Sequence, residues 1–263
     1  MLLEVSNLAV TYGVNKPPTV QNISFNMEEG EVLALVGESG SGKTTVIRAI
    51  QGVLPGEGRI TEGKALFMGN DLSEDNETQR RAMCGAEISM IFQDSGNMMN
   101  PIRTIGVQFH DYLKAHGKTD EKEIHDIMIS MIQMVHLPRP EHILKSYTFE
   151  LSGGMRQRVG IAMAMALRPK LLLADEPTSA LDVTTQAQIV KEMMRVKDEM
   201  HTSIIIVTHN LGVAAYMADR ILVMKHGHPV EYGDTEQVIY HPKEAYTKSL
   251  LDAVPKLEGD LIR

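Results

Sequence analysis

Runs of consecutive apolar residues alternate with amphipathic stretches along much of the chain. The run Val32–Val36 (VLALV) has no polar position, which is typical of a strand buried on both faces of a sheet. It leads through a glycine-rich segment into a stretch from Lys43 to about Gln51 that predicts a helix. Similar apolar runs follow at Ile88–Phe92, LLLA (171–174) and SIIIV (203–207). This alternation predicts an α/β fold with a mostly parallel sheet, whose ligands bind at the carboxyl ends of the strands.

Two other parts of the chain have different patterns. The segments LLEVSNLAV (2–10) and TVQNISFNM (19–27) predict short strands ahead of the main sheet. Residues from about 95 to 167 contain two amphipathic segments, Ile105–His116 and Asp120–His136, with few β-branched runs. We therefore expect a helical subdomain inserted into the sheet domain. Between the runs at 171–174 and 203–207, the helical spacing of Ala187, Val190 and Met194 predicts one more helix.

Composition excludes several classes of function. Lys and Arg total 26 against 34 Asp and Glu, a formal charge of -8, so the surplus of cations that nucleic-acid binding uses is missing. A single cysteine, Cys84, excludes an internal disulfide and a zinc or iron–sulfur site built from cysteines. The first residues, MLLEVSNLAVTYG, lack the features of a signal peptide, and apolar stretches such as Val159–Leu167 are too short to span a bilayer. We expect a cytosolic chain that reaches a membrane only through partners.

The segment after Val32–Val36 has the spacing of a phosphate-binding loop. Residues 37–45 (GESGSGKTT) fit G-x-x-x-x-G-K-[ST], in which glycines let backbone N–H groups surround phosphate oxygens at a helix N-terminus. The lysine places a charge against the β- and γ-phosphates, and the threonine hydroxyl ligates magnesium. The alternative, a chance glycine-rich turn, is disfavoured by the position between a buried strand and a helix. The predicted nucleotide-binding residues here are Gly37, Glu38, Ser39, Gly40, Ser41, Gly42, Lys43, Thr44 and Thr45.

A second candidate feature is the pair of acidic residues that ends LLLADE (171–176). Asp175, at the carboxyl end of the strand, is placed to hold magnesium, and Glu176 is placed to polarise an attacking water. Two solvated carboxylates at a strand end are the alternative. We favour the functional reading because a strand-end Asp is the usual second element of a nucleotide site that already has a phosphate loop.

The segment LSGGMRQRV (151–159) resembles the signature motif of ABC ATPases, and it lies shortly before the acidic pair as in that family. Ser152 is placed to cap a helix whose first glycines, Gly153 and Gly154, leave backbone N–H groups free for an anion. The resemblance implies that this helix faces the γ-phosphate held by another ATPase subunit, so that two subunits enclose two ATP molecules.

Four more positions match this family in order along the chain. The resemblance implies that Tyr12 stacks on adenine, with local packing of a strand tyrosine as the alternative, and that Gln93 contacts magnesium and senses the transmembrane partner. Asp182, in SALD (179–182), matches the loop that crosses the dimer interface, and His209 matches the histidine that contacts the γ-phosphate. The implied cofactors are ATP and Mg²⁺. The implied catalytic residues are Glu176, His209, Gln93 and Lys43, and the implied magnesium ligands are Thr44, Gln93 and Asp175.

The resemblance covers nearly the whole chain and divides it into parts. It implies an ABC-type P-loop ATPase domain with a mostly parallel sheet, an N-terminal antiparallel β part and an inserted helical subdomain. We expect residues 1–94 to form the first part of the nucleotide-binding core, 95–167 the helical subdomain with the signature, and 168–235 the second part of the core. Residues 236–263 are expected to form a helical tail.

Three segments resemble one branch of the family, the ATPases of oligopeptide, dipeptide and nickel importers. They are NPIRTIGVQ (100–108), ELSGGMRQRV (150–159) and HPKEAYTKSLLDAVP (241–255). The chain departs from this branch at Ala245, where proline is usual, at Phe149, where histidine is common, and in DSGNMMNP (94–101), which has no proline next to the aspartate. Because the chain ends soon after Pro255, the sequence tilts the expectation within this branch towards nickel or a metal chelate rather than peptides.

The branch implies a set of partners at the cytoplasmic face of the cell membrane. They are a second, related ATPase subunit in a heterodimer, two transmembrane permease subunits and an extracytoplasmic solute-binding protein, with no nucleic acid. Three alternatives stay open. One is an accessory ATPase of the carbon–phosphorus lyase type. Another is a DNA-repair or chromosome ATPase, although those carry long insertions that this chain lacks. The third is a non-catalytic subunit, although Glu176, Gly153 and Gly154 are all retained.

Overall fold

The computed structural model describes residues 1–14, 16–73, 77–93, 98–179 and 181–253, and all structural statements below concern these residues. The strands are β1 Leu3–Tyr12, β2 Val20–Met27, β3 Val32–Val36, β4 Gly58–Phe67, β5 Asn70–Asp71, β6 Ile88–Ile91, β7 Leu171–Asp175, β8 Ser203–Thr208, β9 Arg220–Lys225 and β10 His228–Asp234. The α-helices are Lys43–Gln51, Glu77–Met83, Ile105–Ala115, Glu121–Met134, Pro140–Lys145, Gly153–Met165, Val183–Met200, Leu211–Met217, Thr235–Tyr240 and Ala245–Asp252, and Thr148–Glu150 is a 3₁₀ turn. Among the described residues, no helix is long and apolar enough to cross a membrane.

The central sheet has six strands in the order β10-β9-β3-β8-β7-β6. All neighbouring pairs from β9 to β6 are parallel, and only the edge hairpin of β9 and β10 is antiparallel. Every residue of β3 is buried. Its alternate residues enter different apolar clusters, Val32, Ala34 and Val36 on one face and Leu33 and Leu35 on the other. The continuous apolar run therefore reflects helices or strands on both faces of the sheet, as predicted.

A second sheet, antiparallel and ordered β2-β1-β4-β5, covers one face of the central sheet together with the helix Lys43–Gln51. This confirms the expected N-terminal β part. The strand β4 has a weak sequence signal because half of its residues are exposed, and its only buried residues are Ala65 and Phe67 near its end. It forms because its backbone pairs with β1 from Leu3↔Phe67 to Tyr12↔Gly58.

The other face of the central sheet carries a layer of helices. The predicted helices at 105–116 and 120–136 are observed at Ile105–Ala115 and Glu121–Met134. Each begins at a side chain that accepts a backbone N–H, Thr104 from Val107 and Asp120 from Glu123. The buried side chains of these helices join the same apolar cluster as the sheet face, so this layer shares the core of the sheet. The boundaries at 94, 167 and 235 stay predictions.

The predicted helix between β7 and β8 is present, at Val183–Met200, but the three residues whose spacing predicts it do not all face the core. Val190 is buried and Met194 packs against the core, whereas Ala187 is exposed. The buried face consists of Ile189, Val190, Met193 and Val196. A lone alanine buries too little apolar area to set the rotation of a helix, so the larger side chains decide it. The expected helical tail contains Thr235–Tyr240 and Ala245–Asp252, while residues from 254 on, including Pro255, lie outside the described residues.

Candidate active site

The phosphate loop joins the end of β3 to the helix Lys43–Gln51, and its glycines meet strict steric demands. Gly40 and Gly42 have φ of 81° and 96°, in the left-handed region that favours glycine. A Cβ on Gly37 would lie 2.2 Å from the Met224 carbonyl oxygen, and one on Gly42 would lie 2.3 Å from Val20 Cγ1. Gly42 stands at the N-cap position and no side chain caps the helix. The first N–H groups of the helix are therefore available to an anion.

Lys43 is buried at the centre of this loop. Its Nζ donates to the Gly37 carbonyl at 2.7 Å, to the Glu38 carbonyl at 2.8 Å and to Ser41 Oγ at 3.3 Å. All three acceptors are neutral, so the ammonium charge is left for an anion. Burial lowers the pKa of Lys43, while the nearby carboxylates of Glu176, Asp175 and Glu38 act in the opposite direction. The loop thus holds a pre-positioned cation beside its free N–H groups.

The predicted magnesium ligands Thr44 and Asp175 are in direct contact. The Thr44 hydroxyl donates to Asp175 Oδ1 at 2.8 Å, and Asp175 is only 2% exposed at the end of β7. Burial is the largest cause of the raised pKa of Asp175, and the hydrogen bond from Thr44 and the charges of Arg48 and Lys43 oppose it. A buried carboxylate and a hydroxyl provide the hard oxygen atoms that Mg²⁺ prefers, with room on the cleft side for phosphate oxygens. The donor set therefore fits magnesium.

Glu176 is the meeting point of three strand ends. Its Oε2 accepts from Gln93 Nε2 at 3.3 Å and lies 3.3 Å from His209 Nδ1. Gln93 follows β6, Glu176 follows β7 and His209 follows β8, three adjacent strands of the central sheet. The backbone of Glu176 has φ of 43°, which few residues with a side chain adopt. Its N–H still extends the sheet by donating to the Val207 carbonyl at 3.0 Å.

These groups border one open cleft of about 650 Å³. The fold therefore brings together most of the predicted loop residues with the predicted Gln93, Glu176 and His209. Three predicted residues do not line the cleft but contact residues that do. Gly37 and Ser41 accept hydrogen bonds from Lys43, and Asp175 accepts one from Thr44. The residues that line the cleft are Thr19, Glu38, Ser39, Gly40, Gly42, Lys43, Thr44, Thr45, Gln93, Glu176 and His209.

The signature residues Ser152, Gly153 and Gly154 are not among the described residues that line this cleft. Ser152 caps the helix Gly153–Met165 as predicted, with its Oγ accepting from Met155 N at 3.3 Å. The helix start lies against the residues after the SALD segment, because a Cβ on Gly154 would lie 2.8 Å from Thr185 Cγ2. Within one chain, the signature residues therefore lie outside the cleft that the phosphate loop borders.

Asp182 also lies outside the cleft lining. It caps the helix Val183–Met200 and accepts from Thr185 N at 3.0 Å and from Thr185 Oγ1 at 2.6 Å. The hydrogen bonds from the side chain and backbone of Thr185 lower the pKa of Asp182. Ala180, in the same SALD segment, lies outside the described residues.

Tyr12 lies beside the cleft. Its hydroxyl donates to Thr45 Oγ1 at 3.4 Å, and its ring packs over Gly58, where a Cβ would lie 2.7 Å from a ring carbon. Thr45 lines the cleft, so Tyr12 is one residue removed from it. Stacking of this ring on adenine stays a prediction.

Two supports of the site were missed by sequence reasoning. Thr19 lines the cleft without belonging to any motif. The hairpin of β9 and β10 supports the loop through Gly227 N, which donates to the Ser41 carbonyl at 3.1 Å. The sequence HGH (226–228) does predict the turn of this hairpin, but nothing in it indicates that the turn touches the phosphate loop.

Comparison with known proteins identifies the family. Residues 20–179 match the family model described as ABC transporter. The chain belongs to the ABC transporter family. It is 42% identical over 261 residues to the dipeptide transport ATP-binding protein DppD of Bacillus subtilis (strain 168). This alignment covers 98% of the chain and 78% of that protein. It is 43% identical over 262 residues to the oligopeptide transport ATP-binding protein OppD of the same strain, covering 98% and 73% of the two chains.

A solved structure supports the same assignment. The dimeric post-hydrolysis structure of the ATP-binding cassette MJ0796 bound to ADP and Pi matches this ABC chain with a TM-score of 0.77. The two are 25% identical, and the match covers 89% of this chain and 99% of that one. The expected fold class is therefore confirmed. The chain is an ATPase coupled to transmembrane transport, with ATP as its substrate and Mg²⁺ as its metal.

Proposed function

We propose that this ATPase drives the import of small peptides through membrane permeases. The supporting observation is the identity of 42–43% over 98% of the chain to ATP-binding proteins named for dipeptide and oligopeptide transport. The aligned residues include the C-terminal helices and are not limited to the nucleotide motifs that many ATPases share.

In the proposed reaction, the phosphate loop holds the nucleotide. The N–H groups at the start of the helix Lys43–Gln51 bind the phosphate oxygens, and Lys43 Nζ neutralises charge on the β- and γ-phosphates. Thr44, Asp175 and Gln93 would hold Mg²⁺, which when bound neutralises the charge that develops on the phosphate oxygens. Thr45 lines the cleft and Tyr12 contacts Thr45, so base and ribose would bind on this side of the phosphate loop.

Glu176 is proposed to orient the attacking water and accept its proton. Its Oε2 is held between Gln93 and His209, and no hydrogen bond from the described residues occupies Oε1, which can accept one from water. His209 has a side chain that is 60% exposed, so it can also turn to the γ-phosphate when nucleotide enters. In-line attack of this water on the γ-phosphorus breaks the bond to the β-phosphate oxygen and yields ADP and phosphate.

A second ATPase subunit is proposed to complete the site. Ser152, Gly153 and Asp182 are separated from the cleft of their own chain, while the helix start at Gly153 retains N–H groups suited to an anion. The signature of one subunit would thus face the nucleotide of the other. From the branch resemblance we propose that the pair consists of two related chains.

The permeases are proposed to dock on an exposed apolar patch of the helical layer. Ile102 is 82% exposed and Phe149 is 69% exposed. An antiparallel bridge between Thr104 and Tyr147 brings their two segments together, and the rings of Tyr147 and Phe149 stack at 5.4 Å. Exposed apolar residues grouped in this way mark a protein contact. Such docking would hold the ATPase at the cytoplasmic face of the membrane.

The relatives change the expected solute. The sequence favours nickel or a metal chelate, but neither of these two relatives is named for nickel. Peptides are therefore our leading substrate class, supplied by an extracytoplasmic binding protein. The carbon–phosphorus lyase alternative gains no support from these relatives either.

The test is uptake in the native host, comparing wild type with a Glu176→Gln allele. We expect uptake of labelled di- and oligopeptides to collapse and nickel uptake to stay normal. The matched control, Glu62→Gln, makes the same change at an exposed position of β4 and should leave uptake intact. Loss of nickel uptake alone would replace peptides by nickel, and normal uptake of both solutes would contradict the importer proposal.

A further inference from the structure

The C-terminal helix Ala245–Asp252 packs beside the phosphate loop. The Tyr246 hydroxyl accepts a hydrogen bond from Glu38 N at 3.3 Å. Farther along the helix, Leu250 and Ala253 border a cavity of about 320 Å³ that also touches Gly37 and His209. A segment distant in sequence from every nucleotide motif is therefore in direct contact with the loop that binds phosphate.

The position of Tyr246 is fixed by contacts on both sides. Lys225 Nζ, at the end of β9, lies 4.4 Å from the centre of the tyrosine ring. The start of the helix is held by the buried carboxylate of Glu231, which accepts from Lys243 N at 2.9 Å and from Glu244 N at 3.2 Å. The hydroxyl thus reaches the loop from a support that is anchored in the edge hairpin of the central sheet.

The hydrogen bond falls on a peptide unit that also holds the loop lysine. The N–H of Glu38 and the carbonyl of Gly37 belong to the same planar peptide, and that carbonyl accepts from Lys43 Nζ at 2.7 Å. Gly37 has φ of 155°, and glycine offers little resistance to rotation of the peptide that follows it. The two groups point in opposite directions within that plane. A hydrogen bond that fixes the N–H therefore also fixes the direction of the carbonyl.

We propose that Tyr246 is a positioning residue for Lys43 and acts through the Gly37–Glu38 peptide. Its hydroxyl holds the peptide in the orientation that directs the Gly37 carbonyl at Nζ, so that the ammonium is already placed in the loop when the phosphates enter and has only to exchange a loop acceptor for a phosphate oxygen. This inference rests on the phosphate-binding role proposed above for Lys43.

The first measurement is the ATP dissociation constant of the purified full chain with Mg²⁺, for wild type and Tyr246→Phe. Phenylalanine keeps the ring over Lys225 and removes only the hydroxyl. We expect ATP to bind roughly three- to tenfold more weakly, as for the loss of one neutral hydrogen bond. The unfolding midpoint without nucleotide should stay at the wild-type value. Tyr240→Phe, which removes the hydroxyl of an exposed tyrosine on the preceding helix, is the control and should bind ATP normally.

A double-mutant cycle with Lys43→Ala separates positioning from a general structural role. Once the ammonium is gone, adding Tyr246→Phe should weaken ATP binding no further, because residues that act through one another are not additive. Unchanged affinity in Tyr246→Phe, or an additive loss in the double variant, would overturn the inference about Tyr246. Unchanged affinity in Lys43→Ala would instead contradict the proposed role of the lysine itself.

Discussion

The catalytic groups depend on unusual local geometry at single residues. Glu176 has left-handed φ, a conformation that costs on the order of 1 kcal/mol or more for a residue with a side chain. This conformation places the carboxylate at the end of the strand, where Oε2 contacts both Gln93 and His209. Strain of this kind is expected where a side chain must be aimed at a reacting group.

Replacing Glu176 by Gln tests this assignment at the residue scale. The amide keeps the shape of the side chain but cannot accept a proton, so we expect ATP hydrolysis to fall about 10²- to 10⁴-fold. ATP affinity should be retained, since the loop contacts of Lys43 and Thr44 do not involve Glu176 directly. Phosphate release by the assembled transporter measures the first effect and equilibrium binding the second, with Glu62→Gln as control. Near-normal turnover would show that another group accepts the proton.

At the scale of elements, the site is assembled where three parallel strands end. The strands β6, β7 and β8 place Gln93, Glu176 and His209 side by side because their carboxyl ends lie on the same edge of the sheet. The helix Ala245–Asp252 is attached to this assembly through Glu231 of β10. Burial alone would raise the pKa of Glu231, but hydrogen bonds that include those from Lys243 N, Glu244 N and Gln237 Nε2 outweigh it and lower the pKa.

Because its pKa is lowered, Glu231 makes the free energy of unfolding depend on pH, and Glu231→Gln should remove this contribution. The native state favours the ionised carboxylate, so its contribution is complete above the ordinary Glu pKa of about 4.3 and is lost as pH falls through the lower native pKa. Near neutral pH we expect Glu231→Gln to reduce the free energy of unfolding by roughly 2 kcal/mol, the range for hydrogen bonds to a charged group. Urea unfolding at a series of pH values measures it.

The difference between wild type and Glu231→Gln should shrink once the pH is below the native pKa. The control is Glu236→Gln, an exposed position on the neighbouring helix, where no such pH-dependent difference is expected. A difference that stays constant down to acid pH would mean that the charge of Glu231 does not hold the C-terminal helix.

At the scale of the whole molecule, the phosphate cleft and the start of the signature helix are separate features of one chain. Its phosphate cleft contains Lys43 and Glu176, and its signature helix begins at Gly153 outside that cleft. The edge hairpin contacts the phosphate loop at Ser41, and the C-terminal helix contacts it at Glu38. On the proposed arrangement, only a second subunit supplies the missing half to each cleft.

Gly153→Asp separates these two features experimentally. Among the described residues, a Cβ at Gly153 meets only Leu181 Cδ2 at 3.5 Å, and a carboxylate in the first turn of a helix is favourable, so the fold should be retained. The isolated chain should bind ATP as the wild type does. In the assembled transporter the new charge would face the γ-phosphate of the other subunit, and we expect ATPase activity to fall about 10²-fold.

The readouts for Gly153→Asp are equilibrium binding by the isolated chain and phosphate release by the assembled complex. Asn70→Asp adds the same negative charge at an exposed position of β5, and it should leave both unchanged. Full ATPase activity of the Gly153→Asp complex would contradict a signature that acts on the other subunit.

Much of the fold could be predicted because burial and phosphate chemistry leave local signals. The helix Lys43–Gln51 begins and ends where the sequence predicts, since the loop glycines fix its start and Gly52 its end. The strand β4 could not be predicted, because it has only two buried residues and its backbone partner is distant in sequence. The exposed Ala187 shows the same limit, since the rotation of a helix depends on the surface against which it packs.

By itself the sequence determined the α/β fold, the phosphate loop, the acidic pair and the family, because each depends on residues that are neighbours along the chain. The tertiary structure alone decided which distant groups meet. Gln93 and His209 both contact Oε2 of Glu176, and the signature lies outside the cleft. Tyr246 contacts the peptide whose carbonyl binds Lys43. Such contacts join segments far apart in sequence, and a hydrogen bond across them depends on angles and distances that only the packed core fixes.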